Sequence, residues 1–249
     1  MNTMLAYYYS PFFSMWDLLA IPGLLLGLYA QMKLSATYGR YSTVVADCGL
    51  TGAEAARRVL DSAGLYQVPI EEIPGKLSDH YDPLKRALFL SSENYHGKSL
   101  AALGVAAHEA GHALQHKDAY APLHLRMALV PVVNIASMGS YIAFGIGFLL
   151  MVTHWASPGM ARLTMGLGIA LFSLLTFFQL VTMPVEIDAS ARAKRQLVTL
   201  GLIRREELPA VTAVLSAAAL TYVAALVSNA LQLLRMIMIA RNFQSRNDR

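Results

Sequence analysis

Charge is scarce in this chain. Asp, Glu, Lys and Arg make up 14% of its 249 residues, against about 25% in an average soluble domain. A single cysteine, Cys48, excludes a disulfide framework, a Cys-rich zinc ribbon and an iron–sulfur site. Residues 1–32 hold no Lys or Arg, so the basic start of a cleavable signal peptide is missing and the segment is expected to stay as an anchor. The net charge is only +4. Its basic residues are scattered and not interleaved with exposed aromatics, which excludes nucleic acid as a partner.

Apolar residues are abundant instead: 55% of the chain is hydrophobic and the mean hydropathy is +0.44. About 20 apolar residues make one helical membrane span, and four stretches qualify. They run over about 12–32, 127–153, 163–185 and 208–240. The middle two carry no charged side chain, whereas the fourth is interrupted by Asn229, Gln232 and Arg235. Lys and Arg are concentrated in 33–126 and 186–207, so the positive-inside rule places both segments in the cytoplasm and the N-terminus outside. The fourth stretch is read as spanning, although that leaves Arg241, Arg246 and Arg249 on the far side, against the rule; the alternative is that it lies along the domain or the membrane surface. The expected divisions are an anchor (1–32), a catalytic domain (33–126), a transmembrane hairpin (127–185), a helix and loop (186–207) and an apolar helix with a basic tail (208–249).

Within the polar insert, Thr51-Gly-Ala-Glu54 reads as a capping box opening a helix that Gly64 ends. Val68–Ile73 and Ala87–Ser91 read as strands, with a turn at Asp82-Pro83. A helix follows from Ser99 to His116. It contains His108-Glu109-Ala110-Gly111-His112. Spacing of four puts both histidines on one helix face, where two imidazole nitrogens can meet one metal ion. Glu109 falls beside the metal, placed to take a proton from a polarised water. Imidazole and carboxylate ligands suit zinc. Leu103, Val105, Ala106 and Ala107 give the helix an apolar start, and a buried His-Glu-His without a partner would be costly.

A third ligand is needed. His116 lies two turns from His108, about 12 Å along the axis and too far for the same ion. His154 falls in the turn between two spans, and His124 stays open. Glu206 and Glu207 sit in a charged stretch. Glu186 is the strongest candidate, because a membrane hairpin returns the chain to the face that carries His108 and His112. Ala189, Ser190 and Ala193 form a small-residue stripe beside it, suited to close helix approach near Gly111. Asp188 is open to two roles, orienting an imidazole or pairing with Arg192. Arg192 or Arg195 is a candidate to stabilise an oxyanion. Ala87–Ser91 reads equally as an open edge to which an extended peptide could add or as an ordinary core strand.

Five segments together resemble the bacterial membrane zinc metallopeptidases of the YugP type. They are Tyr29–Lys33, Gly49–Glu54, Asp79-His-Tyr-Asp-Pro83, Val105–Gln115 and Pro184–Ser190. More distantly the chain is similar to HtpX and the CAAX prenyl proteases. The resemblance implies a gluzincin-like unit with His108, His112 and Glu186 as zinc ligands and Glu109 as base. It assigns no step to Asp79–Pro83. The expectation is a mainly α protein: polytopic membrane helices carrying a small α+β gluzincin-like zinc protease domain. It would be a multi-pass protein of the bacterial inner membrane, acting on polypeptides at the cytoplasmic face of the lipid bilayer with one Zn2+. Membrane protein quality control is the setting suggested by analogy. The rival readings are a zinc-binding scaffold without turnover and a channel or transporter in which the motif is incidental.

Overall fold

The computed structural model describes residues 15–247. Phe12, at the start of the first apolar stretch, and Arg249 of the tail lie outside the described residues. The chain is mainly helical, with one small sheet. A 3-10 turn (Met15–Leu19) leads into α1 (Ala20–Tyr41). Then come α2 (Gly52–Ser62), β1 (Ile70–Ile73), β2 (His80–Asp82), β3 (Ala87–Ser91), α3 (Ser92–His96) and α4 (Leu100–Lys117). Three long helices follow: α5 (Ala121–Thr153), α6 (Pro158–Thr199) and α7 (Leu208–Asn247). Among the described residues, four helical stretches are long and apolar enough to cross a membrane: Met15–Tyr41, Ala121–Thr153, Pro158–Thr199 and Leu208–Asn242. They correspond to the four apolar runs of the sequence. α6 goes further than the sequence suggests, because the helix continues through Pro184 to Thr199 without a break.

Two compact units are present. One holds Arg126–Val181 with the segments up to Tyr29 and from Tyr222. The other holds Ala30–Leu125 and Thr182–Thr221, so the stretch around Glu186 belongs with the polar insert.

In the first unit, glycines let the membrane helices meet. A Cβ on Gly147 would lie 2.5 Å from the Met165 backbone nitrogen, and one on Gly168 would lie 2.6 Å from that of Phe144. The polar residues that interrupt the fourth apolar stretch have partners. Arg235 Nε donates to Asp17 Oδ1 at 2.7 Å, and its Nη1 donates to Gln232 Oε1 at 3.3 Å. Ser228 Oγ donates to the carbonyl of Gly23 at 3.0 Å.

In the second unit, local sequence signals act as written. The capping box is complete: Thr51 Oγ1 accepts from the Glu54 N–H, and Glu54 Oε2 accepts from the Thr51 N–H. Gly64 ends the helix with φ at +73°, a conformation that costs glycine little. Ser99 caps α4 by accepting from the Ala102 N–H. Leu60, Leu88, Leu103, Leu197 and Leu202 are fully buried in the shared core. Each such leucine contributes about 2 kcal/mol of burial free energy.

The sheet decides between the two readings of Ala87–Ser91. Its strand order is β1-β3-β2, with β1 parallel and β2 antiparallel to β3. Ala87–Ser91 is therefore the central strand, buried along its whole length, and offers no open edge. An unbroken apolar run buried on both faces belongs in the middle of a sheet. The edge beside α4 is β2, three residues long and not evident in the sequence. Its hairpin turn is closed by Asp82 Oδ1, which accepts from the N–H groups of Leu84 and Lys85.

Candidate metal centre

Two helices build the centre, α4 and the second half of α6. They approach where both lack bulk. A Cβ on Gly111 would lie 2.7 Å from the Ala189 carbonyl oxygen, and Ala189 and Ala193 are fully buried. That contact brings together three of the residues singled out in the sequence. His108 Nε2 lies 3.2 Å and His112 Nε2 3.6 Å from Glu186 Oε2. The ligand atoms of these three side chains all fall within 4.8 Å of one another, and the trio forms a group able to hold a metal ion. Tetrahedral zinc with ligands at about 2.0–2.1 Å separates its donors by about 3.4 Å. The two imidazole–carboxylate distances bracket that value.

The other ring nitrogens are already occupied. Gln115, fully buried, donates from Nε2 to the carbonyl of Val185 at 2.7 Å and to Asp188 Oδ2 at 2.8 Å. Its Oε1 must then act as acceptor, and it lies 3.0 Å from His112 Nδ1. The proton of a neutral His112 ring is thereby assigned to Nδ1, which leaves the Nε2 lone pair aimed at Glu186. Ser190 Oγ lies 3.1 Å from His108 Nδ1 and orients the second ring. Such partners on the far nitrogens fix ring orientation and basicity at metal sites.

The trio is also built to hold positive charge. Burial alone would push the His112 imidazole down. The hydrogen bond to Glu186 and the charges of Glu109 and Glu186 overcome it and carry its pKa above the ordinary value.

Glu109 is buried and stands outside the trio. Its Oε2 accepts from the backbone N–H of Tyr81 on β2 at 3.1 Å.

Among the other candidates, His116 Nδ1 lies 2.9 Å from Tyr81 Oη, and its ring packs edge-on against His124. Burial, Arg86 and His124 hold the His116 pKa down. Neither His116 nor His124 joins the trio. Glu207 accepts from the N–H groups of Asp47 and Arg204, and Glu206 is exposed. Of the two roles open to Asp188, the pairing with Arg192 Nε at 2.6 Å is direct, whereas any effect on an imidazole passes through Gln115. Arg192 is held between Asp188 and Asp118, not aimed at the trio. Arg195 lines a separate cavity of about 430 Å³ with Lys117 and Gln196.

Sequence reasoning missed three contributors. Gln115 sits three residues beyond His112 and Ser190 four beyond Glu186, spacings that place each one helical turn from a ligand candidate. Tyr81 acts through its backbone and leaves no such signal.

A family model described as "Putative neutral zinc metallopeptidase" matches residues 16–241. A curated relative from Bacillus subtilis (strain 168), "Putative membrane protease YugP", is 49% identical over 229 residues. The match covers 92% of this chain and 98% of the relative. No solved structure gives a significant match.

Proposed function

Because the chain belongs to the family described as "Putative neutral zinc metallopeptidase", we propose that it is an integral membrane zinc endopeptidase. His108, His112 and Glu186 hold the ion, and Glu109 is the general base. The observation that carries this reading is the convergence of three donors from two helices, with both far ring nitrogens hydrogen-bonded elsewhere. When bound there, zinc supplies a Lewis acid that acidifies water and polarises a carbonyl.

The chain's own residues supply the rest. Glu109 takes the proton of the attacking water at one carboxylate oxygen while the Tyr81 N–H steadies Oε2. It then returns that proton to the leaving amine. Gln115 and Ser190 keep the rings turned so that Nε2 of each faces the ion. Substrates are polypeptides reaching the cytoplasmic membrane surface, a side assigned from the Lys and Arg distribution. Turnover of faulty membrane proteins is the setting that fits such a substrate class.

The test uses the full chain, purified in detergent and loaded with zinc, against an unfolded casein-like polypeptide. The wild type is expected to cleave. Glu109→Gln is expected to keep its zinc and lose about 10²–10⁴-fold in rate, the usual contribution of a positioned base. Cleavage by Glu109→Gln at the wild-type rate would overturn the mechanism.

A further inference from the structure

The block Asp79–Pro83 has no role in the chemistry above, yet its first residue is tied down more heavily than a loop carboxylate needs to be. Asp79 Oδ1 accepts from the backbone N–H of Ser91 at 2.8 Å and from Ser91 Oγ at 3.1 Å. Its Oδ2 accepts from Ser91 Oγ at 3.1 Å and from Asn94 Nδ2 at 2.8 Å. Asn94 Oδ1 in turn accepts from Tyr38 Oη at 2.8 Å. Ser91, Asn94 and Tyr38 are essentially without exposure. Ser91 precedes α3 in the capping position but makes no capping bond of its own, because its hydroxyl is committed to Asp79.

The segment that follows Asp79 is β2. With three residues it has few ladder bonds to hold it, and His80 adds a stack on Phe89 and a ring-nitrogen contact to the Ser78 carbonyl at 2.9 Å. Tyr81 gives its N–H to Glu109 Oε2. The placement of that N–H depends on where β2 begins, and Asp79 fixes that point.

We propose that Asp79 is a positioning residue: anchored on Ser91 and Asn94, it locks edge strand β2 in the place where the Tyr81 N–H holds the Glu109 carboxylate. The inference rests on the protease reading for its effect on rate. The lock itself is independent of that reading. Asn94 and Tyr38 extend it to α1, so the position of β2 is set by half-buried Asp79 held on three buried polar side chains, Ser91, Asn94 and Tyr38, and not by its short ladder.

The chemistry of the chain suggests its own control. Asp79→Asn puts an amide donor against the Asn94 donor and breaks the lock. Adding Asn94→Asp restores the pairing with its polarity reversed. The amide at position 79 then donates to the carboxylate at position 94, Tyr38 still donates to that carboxylate, and the oxygen left at position 79 still accepts from the Ser91 N–H. Three proteins are compared as full chains in detergent: wild type, Asp79→Asn and the exchanged pair Asp79→Asn/Asn94→Asp. Hydrogen exchange at the Tyr81 amide reads the lock directly, and kcat per bound zinc reads its consequence.

Asp79→Asn should exchange Tyr81 at least about tenfold faster and lose about tenfold in kcat per bound zinc with KM little changed, as expected when a reacting group is misplaced. The exchanged pair should recover both. Unchanged Tyr81 exchange in Asp79→Asn overturns the lock, as does failure of the exchanged pair to recover. Faster exchange with wild-type kcat per bound zinc overturns the positioning role. An Asp79→Asn protein that cannot be recovered with zinc bound also overturns it, since positioning leaves the metal trio assembled. A wild type that exchanges slowly but cleaves nothing removes the protease reading and the rate effect, leaving the lock judged by exchange alone.

Discussion

Gln115 Oε1 lies 3.0 Å from His112 Nδ1, one turn along the same helix. With its amide nitrogen spent on Val185 and Asp188, Gln115 fixes which nitrogen of the ring faces Glu186. Gln115→Leu keeps bulk and removes that constraint. Zinc affinity is expected to fall about 10–100-fold, the usual cost of losing such a partner. Competition against a chelating dye measures it; wild-type affinity in Gln115→Leu would show that the bond does not orient the ring.

Gly111→Ala tests the helix contact. The added methyl would meet the Ala189 carbonyl oxygen at 2.7 Å, and a backbone oxygen cannot swing aside. The two helices must separate, carrying Glu186 away from the histidines. A stability loss of about 1–3 kcal/mol is expected, together with reduced zinc content. Thermal unfolding and metal analysis check the two effects; an unaffected protein would contradict the packing.

The pH dependence has a defined sign. The His112 pKa is raised in the metal-free fold, so protonated His112 contributes stability that is fully present below about 6.5, its unfolded value. That contribution is lost as pH rises through the raised native value. Zinc must displace this proton, so affinity for the ion climbs across the same window and binding releases protons. Calorimetric titrations at about pH 6 and about pH 8 straddle the unperturbed imidazole value. Equal affinities would contradict the argument.

Asp17 and Arg235 form the ion pair between the 3-10 turn before α1 and the polar part of α7. Removing either partner leaves a charge in apolar surroundings, at an expected cost of about 1–3 kcal/mol for a partly exposed pair. The double variant Asp17→Asn/Arg235→Gln should lose less than the sum of the singles. Additive losses in detergent unfolding would show that the two side chains act separately.

The features legible in the sequence are those set by local rules. The capping box at Thr51–Glu54, the cap at Ser99, the bounds of β3 and the pairing of His108 with His112 all follow from spacing within one element. Glu186 is reachable because a membrane hairpin constrains where the chain returns. β2 is not, since a three-residue strand exists only through Asp79, β3 and Glu109, and none of these contacts leaves a repeating pattern in the sequence. Ser190 reads as a small residue in a packing stripe, whereas its hydroxyl partners His108. Arg192 reads as free to meet an oxyanion because Asp118, which holds it, is distant in sequence.

The central claim is most directly tested by the zinc content of Glu186→Ala beside that of the wild type, both purified as full chains and dialysed against trace metal. The account predicts about one zinc per wild-type chain and less than about a tenth of that in the variant, because two imidazoles alone do not complete a structural or catalytic zinc site. Undiminished zinc in Glu186→Ala would contradict it.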